Sequence, residues 1–186
     1  MEEAKNIFLI LDELRENAKQ VDNDGLKAVE TLITEANRIF IGGAGRSGFC
    51  ARGFSNRLMH LGYTVYFVGE PTTPSIQAGD LLIVGSGSGN TASLVSNVKK
   101  AKDQGAKVAI LTMFPENKIG SMADAIIKIP GVTEKCADQN EGGSVQASGS
   151  SFEELCWITY DAMVMDLMKI TNQTDQDLFK RHANME

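Results

Sequence analysis

The stretch IFIGGAGRSGF, residues 39–49, joins an apolar segment to a glycine-rich turn. Residues 43–48 of this stretch, GAGRSG, satisfy the pattern G-x-G-x-x-G, and Glu70 follows Gly48 by 22 positions. In dinucleotide-binding domains this pattern marks a strand that turns tightly into a helix, and a later carboxylate binds the ribose. The stretch therefore predicts a strand–turn–helix unit that faces a phosphate, and a nucleotide is one candidate for the molecule that carries this phosphate.

The same alternation of strand and helix continues along the chain. Short apolar runs rich in β-branched residues lie at residues 38–43, 64–69, 80–86, 107–112 and 125–130, with helical stretches between them. Three of these runs nearly lack polar alternation, which is typical of strands covered on both faces. We therefore predict an α/β fold, with three α/β/α layers around a doubly wound parallel sheet of five strands.

One domain, residues 1–186, is expected to contain four consecutive regions. They are N-terminal helices at 1–36, a sheet core at 37–130, a polar loop at 131–149 and C-terminal helices at 150–186. The loop is longer than most connections, and such loops are commonly functional or mobile.

Residues suited to capping mark several of the predicted helix ends. Asn23 or Asp24 is expected to cap the second helix, and Thr174 the last one. Gly62 and Gly105 suit the ends of two helices in the core.

The composition excludes several classes of protein. The chain has 186 residues and a net charge of −6 with no block of five or six like charges, which argues against a nucleic-acid partner. No apolar run approaches the ~20 residues that span a bilayer, and the acidic N-terminus fits neither a signal nor a transit peptide. Cys50, Cys136 and Cys156 are far apart, which favours neutral thiols over a metal or redox centre. We expect a soluble, cytoplasmic protein.

A second glycine-rich turn, VGSGSGNT at residues 84–91, ends the third predicted strand. It offers the hydroxyl groups of Ser86, Ser88 and Thr91 and opens into a helix N-terminus, which favours an anion. The turn lacks the Gly-Lys-Ser/Thr sequence of a Walker A motif, so a magnesium-bound nucleotide is not indicated. Many neutral donors suit a phosphate monoester, whereas a dinucleotide pyrophosphate is usually bound by glycine backbone.

Five segments together resemble the sugar isomerase (SIS) domain family, and more narrowly the 6-phospho-3-hexuloisomerase family. They are GAGRSG (43–48), RLMHLGYTVYFVGE (57–70), GSGSGNT (85–91), GSSFE (149–153) and RHANME (181–186). The resemblance implies a flavodoxin-like fold, a homotetramer with sites at subunit interfaces, and no metal or redox cofactor. It also implies the interconversion of 3-hexulose 6-phosphate and fructose 6-phosphate in the ribulose monophosphate pathway of formaldehyde fixation.

The resemblance further implies roles for individual residues. The phosphate of a small sugar phosphate would be bound by the hydroxyls of Ser47, Ser86, Ser88 and Thr91, with Gly45, Arg46, Gly87 and Gly89 contributing loop backbone. Glu153 would be the catalytic base, and His60 and His182 would lie near the sugar, with one of them supplied by a neighbouring subunit.

The chemistry is consistent with these roles. Moving a carbonyl from C3 to C2 through a cis-enediolate needs one base, such as Glu153, and donors to the enediolate oxygens, such as His60 and His182. Without the resemblance, the sequence around these three side chains is typical of structural or solvent-exposed residues that have no catalytic role. Three other hypotheses stay open: another isomerase of the family acting on arabinose 5-phosphate or a heptulose phosphate, a non-catalytic sugar-phosphate sensor, and a dinucleotide enzyme.

Overall fold

The computed structural model describes residues 3–140 and 142–185. Within these ranges the α-helices are α1 Lys5–Ala18, α2 Asn23–Glu35, α3 Gly45–His60, α4 Ala92–Asp103, α5 Ser150–Ile170 and α6 Asp175–Phe179. The strands are β1 Ile39–Gly43, β2 Val65–Phe67, β3 Leu81–Gly85, β4 Lys107–Thr112 and β5 Ala125–Lys128. Two 3-10 helices follow β4 and β5, at Gly120–Met122 and Glu134–Gln139. Residues 1, 2, 141 and 186, which belong to the predicted terminal helices and loop, lie outside the described residues.

The strands form one parallel sheet in the order β2-β1-β3-β4-β5. This order confirms the predicted doubly wound, flavodoxin-like α/β fold. The order reverses between β1 and β3, and in open parallel sheets ligands bind at such a switch point, beyond the carboxyl ends of the strands. The register places Gly43, the last residue of β1, opposite Gly85, the last residue of β3. Both glycine-rich turns therefore leave the sheet side by side.

Apolar side chains pack on both faces of the sheet. Ile39 and Ile41 belong to a cluster that includes side chains of α2, α3 and α5, whereas Phe40 between them belongs to a cluster with α4. Successive strand residues point to opposite faces, so a sheet covered on both sides needs apolar residues at every position. This requirement explains the nearly uninterrupted apolar runs in the sequence.

The helix ends agree with the sequence in three places and differ in one. Thr174 caps α6 in a capping box with Asp177, and Gly62 and Gly105 follow α3 and α4 with φ angles of 92° and 76°. The prediction that Asn23 or Asp24 caps α2 was wrong. Asp22 is the cap, because it is extended and its carboxylate accepts hydrogen bonds from two N–H groups of the first turn.

None of the helices among the described residues is long and apolar enough to cross a membrane.

Substitution of Gly43 tests the close packing of β1 against α3. A Cβ atom on Gly43 would lie 2.7 Å from the Cα atom of Gly48, which is backbone and cannot move aside, so Gly43→Ala should lower the free energy of unfolding by about 1–3 kcal/mol. Gly42→Ala is the matched control, because a Cβ atom there would meet only ordinary side-chain contacts, the nearest at 3.7 Å. Urea denaturation at one fixed protein concentration measures both. Equal destabilisation of the two variants would contradict this account.

Candidate active site

A cavity of about 400 Å³ lies at the carboxyl end of the sheet, at the switch point. Four segments line it: the two glycine-rich turns, the start of α5 and the loop that follows β5. Its lining includes Gly45, Ser47, Ser86, Gly87, Ser88, Thr91, Thr133, Glu134, Lys135, Ser148, Gly149, Phe152 and Glu153. The four hydroxyl residues predicted to bind phosphate and the predicted base therefore share one cavity.

The first turn is shaped by a contact between glycines. Gly43 and Gly48 approach so closely that a Cβ atom on either would come within 3.0 Å of the other's backbone. Gly45, at the start of α3, has a φ of 59°, a conformation that side chains disfavour. The G-x-G-x-x-G pattern thus records a strand packed against its following helix. Ser47, at one of the middle positions, lines the cavity.

Glu70 does not lie where a ribose-binding carboxylate is needed. It forms an ion pair with Arg52 of α3, whose guanidinium lies 4.0 Å from the centre of the Phe67 ring, and it does not line the cavity. The spacing that suggested a dinucleotide site therefore reflects a surface ion pair.

The second turn presents polar groups that the protein itself leaves available. The Ser86 hydroxyl accepts the N–H of Gly89 at 3.2 Å and keeps its own hydrogen to donate. Thr91 occupies the N-cap of α4, yet its side chain makes no capping hydrogen bond. Within residues 3–140 and 142–185, no hydrogen bond engages the N–H groups of Gly87, Ser88 and Thr91. Donors of this kind at a helix N-terminus suit an anion.

The carbonyl groups of this turn are held from behind by the connection between β4 and β5. The Gly87 carbonyl accepts from the Thr112 hydroxyl at 2.9 Å and from the Met113 N–H at 3.1 Å. The Gly89 carbonyl accepts from the Ile119 N–H at 3.2 Å. Because its carbonyls are engaged on one side, the turn keeps its hydroxyls and free N–H groups for the cavity.

Asn117 organises the connection between β4 and β5, and no motif or spacing in the sequence indicated this role. It is buried, donates to the Thr112 hydroxyl at 2.8 Å, and accepts the N–H groups of Ile119 and Gly120 at 2.9 and 2.7 Å. A Cβ atom on Gly89 would overlap the Asn117 side chain, so the two pack directly. An asparagine in a predicted turn carries no local sign of such a contact, since its partner lies 28 residues earlier in the sequence.

Glu153 lies in the first turn of α5, after the left-handed cap residue Gly149. Its carboxylate forms an ion pair with Arg46, and this hydrogen-bonded carboxylate raises the pKa of the Arg46 guanidinium. The Glu153 side chain is 15% exposed, whereas that of Arg46 is 64% exposed. Arg46 lines a neighbouring apolar groove of about 390 Å³ beside Phe49 and Trp157, and Glu153 borders both this groove and the cavity.

The two histidines lie together, but away from the cavity of their own chain. His60 is the last residue of α3 and is 3% exposed, and its ring stacks on that of His182 with 5.2 Å between centroids. Burial and the neighbouring His182 lower the pKa of His60. The 16 residues of α3 span roughly 22 Å, and Gly45 at the other end lines the cavity, so the histidines sit about one helix length away.

Both ends of the expected loop at 131–149 contribute to one wall of the cavity, through residues 133–135 and 148–149. The Thr133 N–H and carbonyl pair with the side chain of Asn140, each bond at 3.0 Å. The Ser148 hydroxyl accepts the N–H of Glu134 at 3.0 Å, and the Gly149 N–H donates to the Val132 carbonyl at 2.8 Å. These bonds join both ends of the segment next to the start of α5.

The described part of the chain brings together no group of three or more histidine, cysteine or acidic side chains that could hold a metal ion. Cys50 and Cys156 are buried, and burial raises the pKa of both thiols, which disfavours the reactive thiolate.

Comparisons with known proteins place these features in a family. The model of the SIS domain matches residues 32–153. The 3-hexulose-6-phosphate isomerase of Bacillus subtilis is 40% identical, and the match covers 100% of both chains. That of Mycobacterium gastri is 38% identical over 98% of this chain and 91% of its own.

A solved structure agrees with this. A Methanococcus jannaschii protein, whose structure was used to infer the function of a 3-hexulose-6-phosphate isomerase, superposes with a TM-score of 0.83. It is 32% identical, and the match covers 98% of this chain and 99% of that one. On these matches, and with the two glycine turns meeting at the switch point, the chain belongs to the SIS domain family.

Proposed function

We propose that this chain, as a single SIS domain over residues 1–186, interconverts 3-hexulose 6-phosphate and fructose 6-phosphate in the cytoplasm without a cofactor. One observation carries the proposal: Glu153 lines the same cavity as the hydroxyl-rich turns. Full-length relatives from Bacillus subtilis and Mycobacterium gastri are named for this reaction. The names of these relatives also indicate which substrate is bound, because the cavity geometry alone does not distinguish one sugar phosphate from another.

Phosphate binding is the first step of the proposed reaction. The hydroxyls of Ser47, Ser86, Ser88 and Thr91 donate to the phosphate oxygens, together with the backbone N–H groups of Gly45 and Gly87. The backbone N–H of Arg46, next to Gly45 at the start of α3, is a further donor, and Gly89 shapes the second turn. The N-termini of α3 and α4 both open at this edge of the sheet, and their partial positive charges stabilise the bound anion.

Proton transfer is the second step. With the phosphate fixed, the carboxylate of Glu153 removes the C2 proton of the 3-hexulose, which gives a cis-enediolate, and returns a proton to C3 on the same face, while the hydroxyl proton moves from O2 to O3. The ion pair with Arg46 fixes the direction of the carboxylate. Hydrogen-bond donors near O2 and O3 stabilise the enediolate, and imidazole groups are suited to this role.

We also propose that the histidines reach the sugar from another subunit of a homotetramer. His60 and His182 lie about one helix length from the cavity of their own chain. Exposed apolar side chains at 46–68% exposure surround the groove beside Glu153, namely Phe49, Trp157 and Ile158. A surface of this kind favours burial against a second copy of the chain.

Replacement of the base should separate binding from catalysis. Glu153→Gln should lower kcat by about 10²–10⁴-fold, because loss of a positioned general base costs that much, while the affinity for fructose 6-phosphate changes little. The assay supplies 3-hexulose 6-phosphate without cofactor and follows fructose 6-phosphate through a coupled reaction, with affinity measured by calorimetry.

Glu35→Gln is the matched control, because Glu35 is exposed at the end of α2. Near-normal turnover of Glu153→Gln would refute the proposed base. A wild-type chain that binds sugar phosphates but converts none would instead identify a sensor, and conversion of arabinose 5-phosphate alone would identify a different isomerase.

Mixed assemblies test whether sites are shared between subunits. Glu153→Gln and His182→Ala should each be nearly inactive alone, whereas co-expression should restore activity. Each site is proposed to take its glutamate from one chain and its histidine from the neighbouring chain. When equal amounts of the two variants assemble at random, about a quarter of the sites therefore contain both native residues. Size-exclusion chromatography checks that each variant assembles. No recovery in mixed assemblies would place both groups in the same chain.

A further inference from the structure

Lys135 brings a positive charge to a cavity whose other charged side chains are carboxylates. Among the described residues that line the cavity, Lys135 is the one lysine or arginine, and the acidic members are Glu134 and Glu153. A phosphate monoester near neutral pH carries a charge of about −1.5 to −2. The hydroxyls and N–H groups of the two turns are neutral donors, and the partial positive charges of the two helix N-termini balance only part of that charge.

Arg46 is not placed to supply the missing charge. Its guanidinium is paired with the Glu153 carboxylate and lines the apolar groove, not the phosphate cavity. Lys135 has no ion-pair partner within the described ranges of the chain. Its ammonium group, with three donors on a flexible four-carbon stem, is therefore available to a ligand.

The backbone that carries Lys135 is held in place. Lys135 lies in the first turn of the 3-10 segment Glu134–Gln139, which is kinked at Cys136, and its N–H donates to the Thr133 hydroxyl at 3.3 Å. Thr133 is buried, and the reciprocal bonds between Thr133 and Asn140 close this segment on itself. The Ser148 hydroxyl ties Glu134 to the residues just before α5. A fixed backbone with a mobile side chain suits a residue that closes over a ligand.

We propose that the Lys135 ammonium binds the phosphate group of the substrate from the part of the cavity wall that the loop after β5 forms. The proposal rests on the proposed function insofar as the ligand is a sugar phosphate. The neutral donors set the position of the phosphate, and Lys135 supplies the charge that a Walker-type lysine supplies in nucleotide sites. Lys135 is thus a binding residue contributed by the loop.

Three variants test the proposal. Lys135→Met removes the charge but keeps much of the stem, Lys135→Arg keeps the charge, and Lys99→Met is the matched control on the exposed surface of α4. Calorimetry gives the Kd of inorganic phosphate and of fructose 6-phosphate for each, and the coupled assay gives kcat and KM. Circular dichroism checks that the variants fold.

Lys135→Met should raise both dissociation constants by a similar factor, about 10- to 100-fold, because a charge-assisted hydrogen bond to phosphate is lost. KM should rise with them while kcat changes little, and the affinity should depend less on salt than in the wild type. Lys135→Arg should retain affinity within about fivefold. A merely structural role would not produce equal losses for both ligands together with rescue by arginine.

Several outcomes separate this proposal from the proposed function. Unchanged phosphate affinity in Lys135→Met, with wild-type turnover intact, would overturn the role of Lys135 alone. If Lys135→Met binds phosphate more weakly than the wild type, and the wild type converts no sugar phosphate, the role of Lys135 would be supported and the proposed isomerase activity overturned. A wild-type chain that binds neither phosphate nor fructose 6-phosphate would overturn both.

Discussion

The close contact between Gly43 and Gly48 is the constraint on which the candidate site depends. Because neither residue has a side chain, α3 begins directly against the end of β1. The parallel register then sets Gly43 opposite Gly85, so that the second turn opens at the same level. Two helix N-termini therefore face one cavity, and the proposed phosphate site follows from backbone packing before any polar side chain is considered.

The second turn shows how the neutral donors of the proposed phosphate site are held in position. Its carbonyl groups are engaged by Thr112 and by the backbone around Asn117, so the turn cannot rotate them toward the ligand. Fixed donors need no reorganisation when an anion arrives, which is the physical advantage of a preorganised site. The cost is that several small residues are mandatory, since Gly87 packs against Phe152 and Gly89 against Asn117.

The sequence predicted the parts of this structure that depend on local pattern. Apolar runs of strand length and glycine-rich segments are local signals, and they were sufficient to predict the sheet and the position of both glycine-rich turns. The cap of α2 was misplaced because three adjacent residues, Asp22, Asn23 and Asp24, can each cap a helix. Asn117 and Lys135 reach the site through contacts between distant loops, and no periodicity or spacing reports such contacts. The family resemblance supplied the roles of the histidines, which their local sequence does not.

The length of α3 links the two halves of the proposed mechanism. Its first residue lines the cavity and its last residue, His60, stacks on His182, so the same rigid helix carries the proposed phosphate-binding end and a histidine end. A helix cannot bring its own ends together. In the proposed assembly each α3 therefore contributes to two sites, and surfaces of different subunits together form each substrate site. Such an arrangement makes folding, assembly and catalysis depend on one helix, because a shift of α3 in one subunit alters the sugar site of its neighbour.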